Sequence, residues 1–131
     1  MHLDSPKIIV NKSATDVFNF LSTVENFEKL MPESISKFEI HDHETFLFGL
    51  KGMPEITLKI KELESPNKIV LGAAGGKIDF SLTGIINEIH DNQSDVQLKF
   101  SGDFNPMMAM MIKGPISKFI ETLATNIPGA I

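Results

Sequence analysis

The chain has 131 residues, 42% of them hydrophobic and 22% charged, which predicts a single globular domain over residues 1–131. It contains no Cys, Trp, Tyr or Arg, which excludes disulfides, thiolate metal sites, phenol chemistry and bidentate guanidinium contacts. The net charge is −5 and the twelve lysines are scattered, so we expect no basic face for nucleic acid.

The first quarter of the chain predicts a strand followed by two short helices. The strand, over residues 3–11, has Ile8-Ile9-Val10 at its centre. Ser13 is placed to cap the first helix, with Asp16 three residues later in a position like that of a capping box. The second helix is predicted over residues 25–30 and ends before Pro32.

From Ser34 onward the hydrophobic period changes from 3.6 to 2, which predicts six consecutive antiparallel strands. The clearest alternation is that of Ile56, Leu58 and Ile60 with polar residues. Glycine, proline, asparagine and aspartate predict the turns between strands, at residues 42–43, 52–54, 65–67, 75–76 and 90–93. The alternation becomes ambiguous around Gly84, which predicts a β-bulge there.

The last quarter returns to helical periodicity after Asn105-Pro106. One apolar stripe follows the helix, and it consists of Ile112, Ile116, Phe119, Ile120, Leu123 and Ile127. Pro115 cannot donate a hydrogen bond to the carbonyl of Met111, so a kink or break is predicted at Gly114-Pro115. Because a sheet with one apolar face needs a cover, we expect this stripe to pack on the sheet.

This order of elements resembles the START-like superfamily, also called SRPBCC or helix-grip, with the Bet v 1-like fold. The opening segment IIVNKSATDVFNFL (8–21), followed by NFEKLMP (26–32), is similar to the start of polyketide-cyclase-like and coenzyme-Q-binding-like members. The resemblance covers the whole chain. It implies an α+β fold in which a curved seven-stranded antiparallel sheet wraps around a long C-terminal helix. The superfamily includes lipid carriers, cyclases, hydroxylase domains and chaperone activators, so the fold alone assigns no function.

The resemblance also implies a cavity between the sheet and the C-terminal helix. Its walls are expected to come from inward strand positions and from the helix, namely Phe46, Phe48, Leu58, Ile60, Phe80, Leu82, Leu98, Phe100, Met108, Met111, Ile112 and Phe119. The phenylalanines are large enough to fill such a space themselves, so an open and a filled cavity are both retained as alternatives.

A methionine cluster precedes the predicted break in the helix and consists of Met107, Met108, Met110 and Met111. Methionine suits surfaces that repack around varied apolar partners, so the cluster is interpreted as a wall or gate for a lipid-like ligand. The alternative is that these side chains fill the gap between helix and sheet. Four methionines in five helical positions cannot all face inward, so at least one is expected at the surface.

Two motifs were weighed as metal or phosphate sites. His41 and His43 are two residues apart and have Glu39 and Glu44 nearby, but no third ligand has a diagnostic spacing, so no metal site is predicted. The segment GAAGGK at residues 72–77 lacks the spacing of a phosphate-binding loop and is interpreted as a hairpin.

The polar residues expected near the mouth of the cavity are Glu44, Asp103 and Asn105. They form no catalytic signature, so no catalytic residue and no cofactor are assigned.

The resulting hypothesis is that the protein binds or transports a hydrophobic or amphipathic small molecule. Two alternatives remain: a protein-interaction module of chaperone-activator type with a filled core, and a polyketide cyclase or dehydratase-like enzyme. No signal peptide is visible, and the apolar stretch 107–112 is far shorter than the roughly 20 residues that span a bilayer. We therefore expect a cytoplasmic protein without integral membrane association, and a homodimer is compatible with the sequence.

Overall fold

The computed structural model describes residues 1–52, 55–74 and 79–131. The predicted hairpin at Gly75-Gly76 and most of the predicted turn at 52–54 lie outside the described residues. In the described parts the elements are β1 (His2–Asp4), β2 (Ile8–Val10), α1 (Ala14–Leu21), a 3₁₀ helix (Val24–Leu30), β3 (Ile35–Asp42), β4 (Thr45–Leu50), β5 (Ile56–Glu64), β6 (Lys68–Ala73), β7 (Phe80–His90), β8 (Gln93–Gly102) and α2 (Pro106–Ala130).

The first predicted strand is present as two short pieces, β1 and β2, which both pair antiparallel with β8. Pro6 has no backbone N–H, which explains the interruption between the two pieces. Ser5 bridges it: its backbone N–H donates to the carbonyl of Leu98 at 2.8 Å, and its hydroxyl accepts from the Leu98 N–H at 2.9 Å. The chain thus stays attached to β8 across the proline.

The sheet is a meander in the order β1-β8-β7-β6-β5-β4-β3, with β2 also on β8. The predicted bulge at Gly84 is wrong, because β7 pairs with β8 continuously through that residue and the irregularity lies between Glu88 and His90. Gly84 occupies an inward position, where an added Cβ would lie 3.6 Å from Leu98. Because a glycine at an inward position has no side chain, it interrupts the alternation of apolar and polar residues. The sequence around Gly84 therefore does not show which residues face inward.

Two of the three predicted helix starts, those of α1 and α2, are confirmed by their caps. The Ser13 hydroxyl accepts from the Asp16 N–H at 3.1 Å, and the Asn105 side chain accepts from the Met108 N–H at 2.8 Å. Each cap satisfies a backbone donor that the first turn of a helix leaves free.

Helix α2 runs against β1, β2, β8 and the 3₁₀ helix. It buries Ile116, Phe119, Ile120, Leu123, Ala124 and Ile127, which are the predicted stripe without Ile112 and with Ala124 added. The Asn126 side chain donates to the carbonyl of Leu30 at 2.9 Å and joins the helix to the 3₁₀ segment. The helix continues through Pro115, which is exposed, so water can replace the missing donor there.

Candidate binding groove and apolar core

The interior beneath α2 is a stack of phenylalanines. Phe119 of α2 stacks on Phe48 of β4, with ring centroids 4.9 Å apart and planes inclined by 13°. Phe48 in turn contacts Phe46, whose ring stacks on Phe27 of the 3₁₀ helix with centroids 5.1 Å apart. Phe46 is fully buried and Phe48 is 2% exposed. Aromatic side chains therefore occupy much of the space between sheet and helix.

A small apolar cavity remains next to this stack. It offers about 10 Å³ to the centre of a water-sized sphere, which is room for about one water molecule. All the residues around it have hydrocarbon side chains: Phe48, Ile56, Leu58, Phe80, Leu82, Phe100, Ile116, Phe119 and Ile120. The core as it stands is filled rather than open.

A larger groove lies at the surface, between the middle of α2, the end of β4 and the segment after the 3₁₀ helix. Its volume by the same measure is about 180 Å³, and it is lined by Pro32, Ser34, Leu50, Lys51, Pro115, Lys118, Phe119 and Thr122. The Lys51 N–H donates to the carbonyl of Ser34 at 3.0 Å and holds two of these walls together. Phe119 lines both the groove and the small cavity.

The residues predicted as cavity walls fall into four groups: those that line the cavity, those buried elsewhere in the core, those half-buried and one at the surface. Those that line the small cavity are Phe48, Leu58, Phe80, Leu82, Phe100 and Phe119. Phe46 and Leu98 are buried in the core behind it, and Ile60, Met108 and Ile112 are half-buried. Met111 lies at the surface and is 71% exposed. The structure thus brings the strand positions together with Phe119 and leaves the methionine segment outside.

Sequence reasoning missed Ile56, Ile116 and Ile120 as walls of the cavity and all of the groove except Phe119. The sequence does contain a signal that could have identified the isoleucines as inward-facing. Ile56 belongs to the alternation of a strand, and Ile116 and Ile120 belong to the helical stripe. The groove had none, because its residues are distant in sequence and meet only through the packing of α2.

The methionine segment is exposed apart from Met108. Met107, Met110 and Met111 are 75%, 84% and 71% exposed, respectively, while Met108 is half-buried. At least one methionine was expected at the surface, and three are found there. The methionines that would form a gate or fill a gap do not contact the Phe48–Phe119 stack in this arrangement.

Two exposed groups on β3 have shifted pKa values. The Lys37 ammonium donates to Glu39 and Glu55, each with an N–O distance of 3.3 Å, and these contacts raise its pKa. The Glu44 N–H donates to the Asp42 carboxylate at 2.8 Å and lowers its pKa. Neither residue lines the groove or the cavity. The two pKa shifts therefore belong to the outer surface at the edge of the sheet and not to the candidate binding site.

The two histidines of the β3–β4 turn each contact a different carboxylate. His41 lies 3.6 Å from Glu39, and His43 lies 3.5 Å from Glu44, measured between Nε2 and the nearer carboxylate oxygen. Across residues 1–52, 55–74 and 79–131, no group of three or more His, Asp or Glu side chains could hold a metal ion.

The polar residues expected at the cavity mouth do not converge. Asp103 is exposed, Glu44 is half-buried and contacts His43, and the Asn105 side chain is occupied in capping α2. In the part of the chain that the structure describes, every buried side-chain N or O atom has a hydrogen-bond partner. No helix of that part is long and apolar enough to cross a membrane.

Comparison with known proteins identifies the fold. No protein-family model and no curated protein matches the chain. Among solved structures, a START superfamily protein from Mycobacterium smegmatis is similar, with 14% identity and a TM-score of 0.75, over 98% of this chain and 94% of that one. A protein from Thermus thermophilus has 10% identity and a TM-score of 0.74, over 99% and 96% of the two chains.

Norcoclaurine synthase from Thalictrum flavum, solved in complex with dopamine and hydroxybenzaldehyde, is also similar. It has 11% identity and a TM-score of 0.70, over 97% of this chain and 86% of that one. Identities this low establish the fold alone. The predicted α+β helix-grip architecture is confirmed, and the chain has the fold of the START-like superfamily, also called SRPBCC or Bet v 1-like.

Proposed function

We propose that this protein binds a hydrophobic or amphipathic small molecule in the groove and, beneath Phe119, in the apolar core. The observation that carries the proposal is that Phe119 lines both spaces. A change of its rotamer joins the groove of about 180 Å³ to the cavity, whose walls are hydrocarbon. Apolar burial then supplies the binding free energy, at about 25 cal/mol per Å² before entropic costs.

The size of the groove favours a small ligand. Pockets for drug-sized ligands usually measure about 300–1,000 Å³, more than the groove offers before any side chain moves. The complex of norcoclaurine synthase with dopamine and hydroxybenzaldehyde supports this size class, because both are small aromatic molecules bound by a protein of the same fold. Transport of such a ligand and a cytoplasmic location stay predictions from the sequence.

Titration with the neutral apolar dye Nile red tests the proposal. The chain has no Trp and no Tyr, so its own fluorescence is nearly absent and the dye is read against a dark background. We expect saturable binding by the native protein and its loss in Thr122→Trp, which places an indole in the groove. Thr125→Trp is the matched control, because Thr125 is exposed on the same helix and does not line the groove.

A filled core favours a second candidate, a protein-interaction module of chaperone-activator type. Leu82→Trp and Leu98→Trp test whether the core is filled, because a filled core cannot accept an indole without a cost of about 1–3 kcal/mol. Dye binding then separates the two candidates. We expect this destabilisation in urea unfolding together with intact dye binding in the groove. Absence of saturable dye binding by the native protein, with both variants strongly destabilised, would replace ligand binding by the interaction module.

A polyketide-cyclase-like enzyme is the weakest of the three candidates. The residues around the small cavity offer only hydrocarbon, and acid–base chemistry needs a titratable group at the reacting atoms. A homodimer has no supporting contact in the single chain and stays a prediction.

A further inference from the structure

We propose that the groove is a site for a carboxylate-headed amphiphile, a medium-chain fatty acid in chemical class, with Lys51 and Lys118 holding the head group. This inference rests on the proposed function and adds the charge of the ligand. The observation behind it is the placement of two lysines on the walls of one groove whose deeper wall is formed by Leu50 and Phe119.

The charge of the groove is opposite to that of the chain. The whole protein carries 17 acidic residues against 12 lysines and has a net charge of −5. The residues that line the groove include two lysines and no Asp or Glu. An anion approaching the protein therefore meets a local site of positive charge on a chain whose net charge is negative.

Both lysines are available to a ligand. Lys37 and Lys68 are engaged by carboxylates within 4.0 Å, but across the described residues no carboxylate lies within that distance of Lys51 or Lys118. Glu33 and Glu121 are close to the groove in sequence, and neither forms such a pair.

The polar and apolar groups of the groove suit an amphiphile. Ser34 and Thr122 line the same groove as the lysines, and a hydroxyl can donate to a carboxylate, whose two oxygens accept up to about four hydrogen bonds. Leu50 is 7% exposed and Phe119 is 5% exposed, so they form the inner side of the groove. A hydrocarbon tail packs there and reaches the small cavity when Phe119 moves.

Competition of decanoate and decanol with Nile red tests the inference, because the two competitors share a tail and differ in the head group. At low salt we expect decanoate to bind about tenfold more tightly than decanol. Lys51→Gln and Lys118→Gln should each weaken the binding of decanoate about threefold, as expected for the loss of a solvent-exposed ion pair. Both variants should leave the binding of decanol unchanged. The double variant should abolish the preference.

Lys113→Gln is the matched control, since Lys113 is exposed on the same helix five residues before Lys118 and does not line the groove. Its decanoate affinity should equal that of the native protein. Equal binding of decanoate and decanol, or an equal loss in Lys113→Gln, would overturn the head-group site and leave the proposed function standing. Failure of Nile red itself to bind saturably would overturn both.

Discussion

The two halves of α2 differ far more in environment than in hydrophobic content. In the first half, residues 106–115, three methionines are more than 70% exposed. In the second half, residues 116–130, Ile120, Ala124 and Ile127 are fully buried. Both halves are rich in apolar residues, so hydrophobicity alone does not decide which is covered.

Spacing and partners explain the difference. The second half repeats its apolar residues at intervals of three and four, so they share one face that packs against the sheet. The first half has methionines at 107, 110 and 111 with a similar spacing, but they lie on the side of the helix opposite the buried stripe and are exposed. The second half is also attached to the 3₁₀ helix through Asn126. A helix is therefore buried only where its apolar stripe and a partner surface coincide.

Truncation should have the largest effect. A chain ending after Pro115 retains the first half of α2 and loses the second, and a chain ending after Ser101 loses both. We expect neither to show a cooperative thermal transition by circular dichroism, because the apolar face of the sheet has no other cover. A cooperative transition in the longer truncation would mean that the second half is dispensable, and would break the comparison.

Single alanine substitutions should reproduce the contrast on a smaller scale. Leu123 is 1% exposed, and Leu123→Ala should lower the free energy of unfolding by about 2–5 kcal/mol. Met110 is 84% exposed, and Met110→Ala should change the free energy of unfolding by less than about 0.5 kcal/mol. Urea unfolding of both variants measures this. Similar losses of unfolding free energy in the two variants would show that the first half of α2 is packed against the rest of the protein in solution.

The smallest expected effect is that of Gly114→Ala. An added Cβ at Gly114 meets nothing within 4 Å beyond the adjacent residues and the helix's own backbone. Alanine is a better helix former than glycine by about 0.5–1 kcal/mol, but Pro115 disfavours the helical conformation of a preceding residue that has a Cβ. We therefore expect the two effects to offset and the free energy of unfolding to change by less than about 0.5 kcal/mol. Gly129→Ala has no proline after it but lies in the last turn, so its gain should also be small. A loss of more than about 1 kcal/mol in Gly114→Ala, measured by urea unfolding, would show that the first half of α2 is packed in solution.

Much of the fold was predictable because its causes are local or periodic. Ser13 is recognisable as a cap from its position before a helical pattern, and the cap forms. Asn105-Pro106 marks the return to helical periodicity, and α2 begins at Pro106. The alternation of Ile56, Leu58 and Ile60 identifies a strand, and β5 spans it. Gly84 misled the interpretation because an inward position without a side chain breaks the pattern although the strand continues.

Sequence by itself determined the order of elements, the helix caps and the inward positions of the strands, since each depends on neighbours within a few residues. Tertiary structure alone decided how much space the phenylalanines leave and which residues form the groove. Lys51 and Lys118 are 67 positions apart, and they share a groove only because the second half of α2 packs beside the end of β4. No local pattern encodes that meeting, because it results from the summed packing of the whole sheet against the helix.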